Sequence, residues 1–129
     1  IQIINRFQEI PSEGAMCDLV WSDPDKAIPD FQISPRGAGY VFGAEMVFRF
    51  LHMNQMQCIL RAHQLCQSGY ESFFDDALHT VWSAPNYCGR CGNLASVYTL
   101  DQNLQGEFVK FGPSQLTFQD NQQSNQYAN

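Results

Sequence analysis

The sequence predicts an α+β fold. One stretch, residues 43–53, carries apolar side chains at helical spacing. Four short runs, 57–60, 78–82, 94–100 and 107–111, read as strands, and the last two are separated by turn residues. The hydrophobic fraction is 44%, with 13% aromatics, which is ample core material for a chain of 129 residues.

From the beginning, Ile1, Ile4 and Phe7 sit at helical spacing, so residues 1–10 read as the tail of a helix. Pro11-Ser12-Glu13-Gly14 breaks it. Residues 17–21 are a short apolar run whose type periodicity leaves open. Ser22-Asp23-Pro24-Asp25 is turn chemistry, and 26–35, with Pro29 and Pro35, reads as a loop. In the helix 43–53, Ala44, Val47, Phe48 and Leu51 form one stripe, which Met46 and Phe50 widen. The strand 57–60 delivers Arg61-Ala62-His63, and the strand 78–82 is closed by Ser83-Ala84-Pro85-Asn86. Strands 94–100 and 107–111 pair antiparallel through Asp101-Gln102-Asn103. Residues 1–112 read as one domain segment; the Gln/Asn-rich tail, 113–129, is expected to be disordered.

Charge and cysteines narrow the function classes. A net charge of −6, spread along the chain, argues against a nucleic-acid partner. No apolar run reaches the length of a membrane span, so no membrane role is expected. Cys17, Cys58, Cys66, Cys88 and Cys91 suggest no disulfide framework and point to a reducing compartment, cytoplasmic or also nuclear. Ile1 stands where a start methionine would, so the natural start is expected to lie upstream.

Three residues stand out by position. His63 follows a strand, where side chains often enter a site; alone, a satisfied or surface histidine is the default. Arg36 is set between Pro35, which fixes the approach, and Gly37, which frees the exit; a guanidinium held there suits bidentate phosphate binding. Tyr87 follows Pro85 and Asn86 in a loop, where its hydroxyl could line a cleft or cap a core. His52, in the helix, and His79, opening a strand, read as surface residues. Cys88 and Cys91 form a lone C-x-x-C, half of what a structural zinc site uses, so they read as loop thiols.

Five motifs together resemble a known family. Leu19-Val20-Trp21-Ser22-Asp23-Pro24-Asp25, Ser34-Pro35-Arg36-Gly37-Ala38-Gly39-Tyr40, Phe42-Gly43, Arg61-Ala62-His63-Gln64 and Ser83-Ala84-Pro85-Asn86-Tyr87-Cys88 occur in the order and spacing of the phosphoprotein phosphatase catalytic subunits. Arg90-Cys91-Gly92-Asn93 is similar to the type 2A branch. Val20, Val81-Trp82 and Leu94-Ala95-Ser96 lean toward its type 4 and 6 relatives, while Gly89 resembles type 1.

The resemblance implies the C-terminal half of a calcineurin-like metallophosphoesterase β-sandwich flanked by helices. It implies a serine/threonine phosphatase in which two divalent metal ions (manganese, iron or zinc) activate a bridging hydroxide. His63 would be a metal ligand, Arg36 and Tyr87 catalytic and substrate-binding residues, and Cys88 and Cys91 part of an inhibitor-binding loop. The other five ligands would lie in motifs upstream of Ile1, leaving this piece inactive alone. Phosphoprotein substrates and regulatory and scaffold subunits would be the partners. The alternative is a short, non-catalytic phosphatase-like module that binds phosphatase partners.

Overall fold

The computed structural model describes residues 1–114, so the tail expectation falls outside the described residues from 115 on. The chain divides into two compact units, Ile1–Gln64 with Ser72–Thr80, and Leu65–Glu71 with Val81–Asn129. Among the described residues, two helices and eight strands give the α+β class that the sequence predicts.

The first unit opens without a helix: residues 1–10 form turns, and Ile3 and Phe7 are fully exposed. A short helix is held mainly by burying an apolar face, and this segment buries none. Helix α1 is Ala15–Trp21, so the run left open at 17–21 is helical, with Cys17 buried. It ends at Ser22, whose extended backbone turns the chain into β1, Asp23–Pro24. The expected turn at 22–25 is therefore a buried two-residue strand. It pairs parallel with β3, Tyr40–Phe42, setting Asp23 opposite Val41. Pro24, lacking an N–H, is tolerated because β1 is the edge of the order β1-β3-β2. The expected loop at 26–35 contains β2, Phe31–Ile33, antiparallel to β3.

Helix α2, Ala44–Asn54, follows the reading of 43–53 closely. Val47 and Leu51 are buried, Met46 and Phe50 half-buried, and Phe48 is turned outward. Val47 and Leu51 join Phe73, Ala77 and Leu78 in the core, with Phe42, Ile59 and Phe74 packed against it. Burial of Val47, Leu51, Phe73 and Leu78 contributes about 1.5–3 kcal/mol apiece. Strand β4 is Ile59–Arg61, shifted toward the C-terminus from the expected 57–60. The second sheet runs β4-β6-β5, with β5 at Tyr70–Phe73 and β6 at Leu78–Val81. Parallel pairing of β4 with β6 places Arg61 opposite Thr80.

The second unit is built on the antiparallel pair β7, Ala95–Leu100, and β8, Gly106–Phe111, as the sequence suggests. The Asp101 carboxylate closes the turn by accepting the N–H groups of Asn103 (2.8 Å) and Gln105 (2.7 Å). Ala95 and Ser96 are fully buried, and the Ser96 hydroxyl donates to the Gly69 carbonyl at 2.7 Å. Tyr70 stacks on Phe108 with centroids 3.8 Å apart. Among the described residues, no helix is long and apolar enough to cross a membrane.

Candidate active site

Asp23 is the centre of a polar cluster in the first unit. Helix α1 and the two-residue β1 bring it inside, where it is 7% exposed. A buried carboxylate needs charged partners, and it has two. Arg36 donates through Nε to Oδ2 at 2.5 Å, and Arg61 donates through Nη2 to Oδ1 at 2.9 Å.

Arg36 sits on a tight loop between β2 and β3. Ser34, itself buried, accepts the Arg36 N–H on its hydroxyl at 3.2 Å and the Gly37 N–H on its carbonyl at 3.2 Å. Gly37 turns back with φ of +81°, the freedom expected of it from the sequence. The Arg36 side chain is 40% exposed, and its hydrogen bond to Asp23 uses Nε alone. Its two Nη groups take no part in that bond.

Arg61, in contrast, is 13% exposed, and both its terminal nitrogens are engaged. Besides Asp23, it donates through Nη2 to the Ser22 carbonyl (3.0 Å), and through Nη1 to Gln64 Oε1 (2.7 Å) and Thr80 Oγ1 (3.1 Å).

His63 lies two residues past the end of β4, with a left-handed backbone, φ +78°. Such a conformation is uncommon for a residue with a side chain and recurs at functional sites. Its Nε2 is buried without a hydrogen-bond partner and lies 4.0 Å from Asp23 Oδ1. Trp21 meets the imidazole edge-on, with centroids 5.4 Å apart. Burial pushes its pKa down, Asp23 opposes this, and Arg36 and Arg61 add to the lowering. A neutral ring with a vacant nitrogen has the chemistry of a metal ligand. Among the described residues, no group of three or more His, Cys, Asp or Glu side chains could hold an ion.

Tyr87 belongs to the second unit and is 44% exposed. It opens a 3₁₀ turn, Tyr87–Gly89, in a loop locked by Asn93. The Asn93 side chain is 1% exposed; it accepts the Tyr87 N–H at 2.8 Å and donates to the carbonyls of Ala84 (2.9 Å) and Leu94 (2.8 Å). Trp82 packs edge-on against the Tyr87 ring, with centroids 4.9 Å apart. Cys88 and Cys91, on the same loop, are exposed free thiols. Cys17 is buried, whereas Cys58 is only partly so; burial and then Asp76 push the Cys58 thiol pKa up.

The structure thus gathers Arg36 and His63 around one carboxylate. Asp23 and Arg61, which hold that cluster, received no site role from sequence reasoning. Their signal was membership of the Trp-Ser-Asp-Pro and Arg-Ala-His-Gln motifs.

No protein-family model matches the chain. It is 54% identical over 108 residues to a protein phosphatase 2A catalytic chain of Dictyostelium discoideum, covering 84% of this chain and 35% of that protein. It is 54% identical over 111 residues to the serine/threonine-protein phosphatase 4 catalytic subunit of Eremothecium gossypii, covering 86% of this chain and 36% of that protein. The fold matches a solved serine/threonine phosphatase of Saccharomyces cerevisiae with similarity to human phosphatase PP5. There the TM-score is 0.77 and the identity 31%, over 88% of this chain and 39% of that one. The chain therefore spans a little over a third of the length of the proteins it matches. Over the stretch it shares with these hydrolases, the chain belongs to the serine/threonine phosphoprotein phosphatase catalytic-subunit family, on its 2A-like side.

Proposed function

We propose that this chain is the C-terminal part of a phosphatase catalytic domain that hydrolyses phosphoserine and phosphothreonine in proteins. The observation that carries this is the buried His63 Nε2, without a hydrogen-bond partner, on the same carboxylate as an arginine whose terminal nitrogens are free of it. A pair of divalent ions (manganese, iron or zinc), when bound, would supply Lewis-acid activation of the attacking water. His63 would donate Nε2 to one of them. Arg36 would grip the phosphoryl oxygens through its Nη groups, where charge stabilisation counts most. Tyr87 is assigned to the phosphate region of the cleft, and Cys88 and Cys91 to the loop that inhibitors approach. Phosphoprotein substrates and regulatory and scaffold subunits are the partners in this reading, in the cytoplasm or nucleus.

The test separates the two roles in the full-length protein. His63→Ala should lower bound metal, and excess manganese should restore part of the activity. Arg36→Ala should keep its metal and lose kcat by about 10²–10³, without rescue. Elemental analysis beside steady-state kinetics decides. Metal lost from Arg36→Ala and kept by His63→Ala would reverse the assignment.

A further inference from the structure

We infer that Asp23 is the positioning residue for Arg36, anchored in turn by Arg61. This rests on the phosphatase reading for the identity of the anion, but not for the geometry.

A guanidinium on an exposed loop samples many rotamers, and fixing such a side chain costs up to about 2 kcal/mol. Arg36 is a loop residue with 40% of its side chain exposed, yet its Nε is tied to a carboxylate with a side-chain exposure of 10%. A bond at Nε fixes the plane of the group and leaves the terminal edge, Nη1 and Nη2, for a bidentate partner. Asp23 can hold that plane only if it is fixed itself. It comes from a strand in register with Val41, and its other oxygen receives Arg61. Arg61 is pinned by Ser22, Gln64 and Thr80 as well. Rigidity therefore passes from the second sheet through Arg61 and Asp23 to Arg36.

Asp23 sits between two arginines, which also makes it the group that lets them approach one another. Asparagine has the same shape but only one acceptor oxygen. In Asp23→Asn, one arginine must lose its partner and face an amide N–H₂.

The experiment is a double-mutant cycle in the full-length protein, with Asp23→Asn, Arg36→Ala and the pair. The readouts are kcat on a phosphoserine peptide, bound metal, and inhibition by inorganic orthophosphate. Asp23→Asn should lower kcat at least tenfold with metal content unchanged and weaken orthophosphate inhibition. In the Arg36→Ala background it should cost less than about twofold, because its effect runs through Arg36. A loss of equal size in both backgrounds would overturn the inference, as would an Asp23→Asn variant that behaves like wild type. If Asp23→Asn does not fold, Asp23→Glu keeps the charge, displaces the carboxylate, and is read by the same cycle. If the wild-type protein turns over no phosphopeptide, the phosphatase reading fails. Direct titration of orthophosphate on the same variants then still decides whether Asp23 acts through Arg36.

Discussion

His79 sits on the middle strand of its sheet, 6% exposed, with Nδ1 at 2.8 Å from the Ser72 hydroxyl. Burial pushes its pKa below the ordinary value of about 6.5, although Asp76 works the other way. The folded state thus binds fewer protons than the unfolded chain in the window just below that value. Stability is full above it, falls as pH drops through it toward the lowered folded value, and levels off below. Melting temperature of the full-length protein against pH should show this slope, and His79→Gln should flatten it. The sequence placed His79 on the surface because a lone histidine at a strand start carries no burial signal. What hides it is long-range: β6 lies between β4 and β5, with the Ser72 hydroxyl of β5 against the His79 ring. Asp23 was misread for the opposite reason. Asp before Pro is turn chemistry locally, and only long-range pairing with β3 and two distant arginines make it a buried strand residue. Arg36 and His63 stood out as candidates by local position, one set between Pro35 and Gly37 and the other just past a strand.

Helix α2 was the most readable element, since eleven residues give periodicity room to show. The three-residue strands β2 and β3 are too short for that. The start of α2 carries a constraint that its apolar pattern does not express. Gly43 donates its N–H to the Asp30 carbonyl at 3.0 Å, and a Cβ there would run into the backbone of Ile28 and Pro29. The neighbouring atoms are main chain and cannot swing away. Gly43→Ala should therefore destabilise the full-length protein by about 1–3 kcal/mol, as overpacking does. Denaturant unfolding measures it, and an unchanged midpoint would show that the 28–30 segment yields freely.

At the scale of the whole molecule, a large share of the apolar side chains is uncovered. In the first unit, an open groove of about 840 Å³ is lined by Leu19, Phe31, Phe42, Met46, Phe50 and Leu60, among others. Ile33 is 86% exposed, and Val97, Leu100 and Val109 of the second unit are exposed too. Patches of this kind mark surfaces that bind something apolar or associate. The 129-residue polypeptide by itself should bind a hydrophobic dye strongly and elute as larger species in size-exclusion chromatography. The full-length protein should do neither. A monomeric, dye-silent polypeptide would mean that these faces close on their own. None of this was legible in composition: a hydrophobic fraction of 44% states how much apolar material exists, not which of it finds cover.

The Asp23 cluster is stitched from three stretches of chain: Ser22 and Asp23, Arg36, and Arg61 to Gln64, with Thr80 as a pin. Helix α2 and the exposed turn after it lie between the second and third stretches and supply none of those bonds. That turn is already capped, with the Met56 N–H bonded to the Leu51 carbonyl at 3.0 Å. A short Gly/Ser peptide inserted between Met56 and Gln57 would leave cap and cluster intact. Loop entropy would be its main cost, rising by about 0.6 kcal/mol for each doubling of length. Orthophosphate affinity in the full-length protein should stay within about twofold of wild type over insertions of increasing length. The turn is thus an address at which a label or epitope can be written into the chain, close in sequence to the candidate site and outside its wiring.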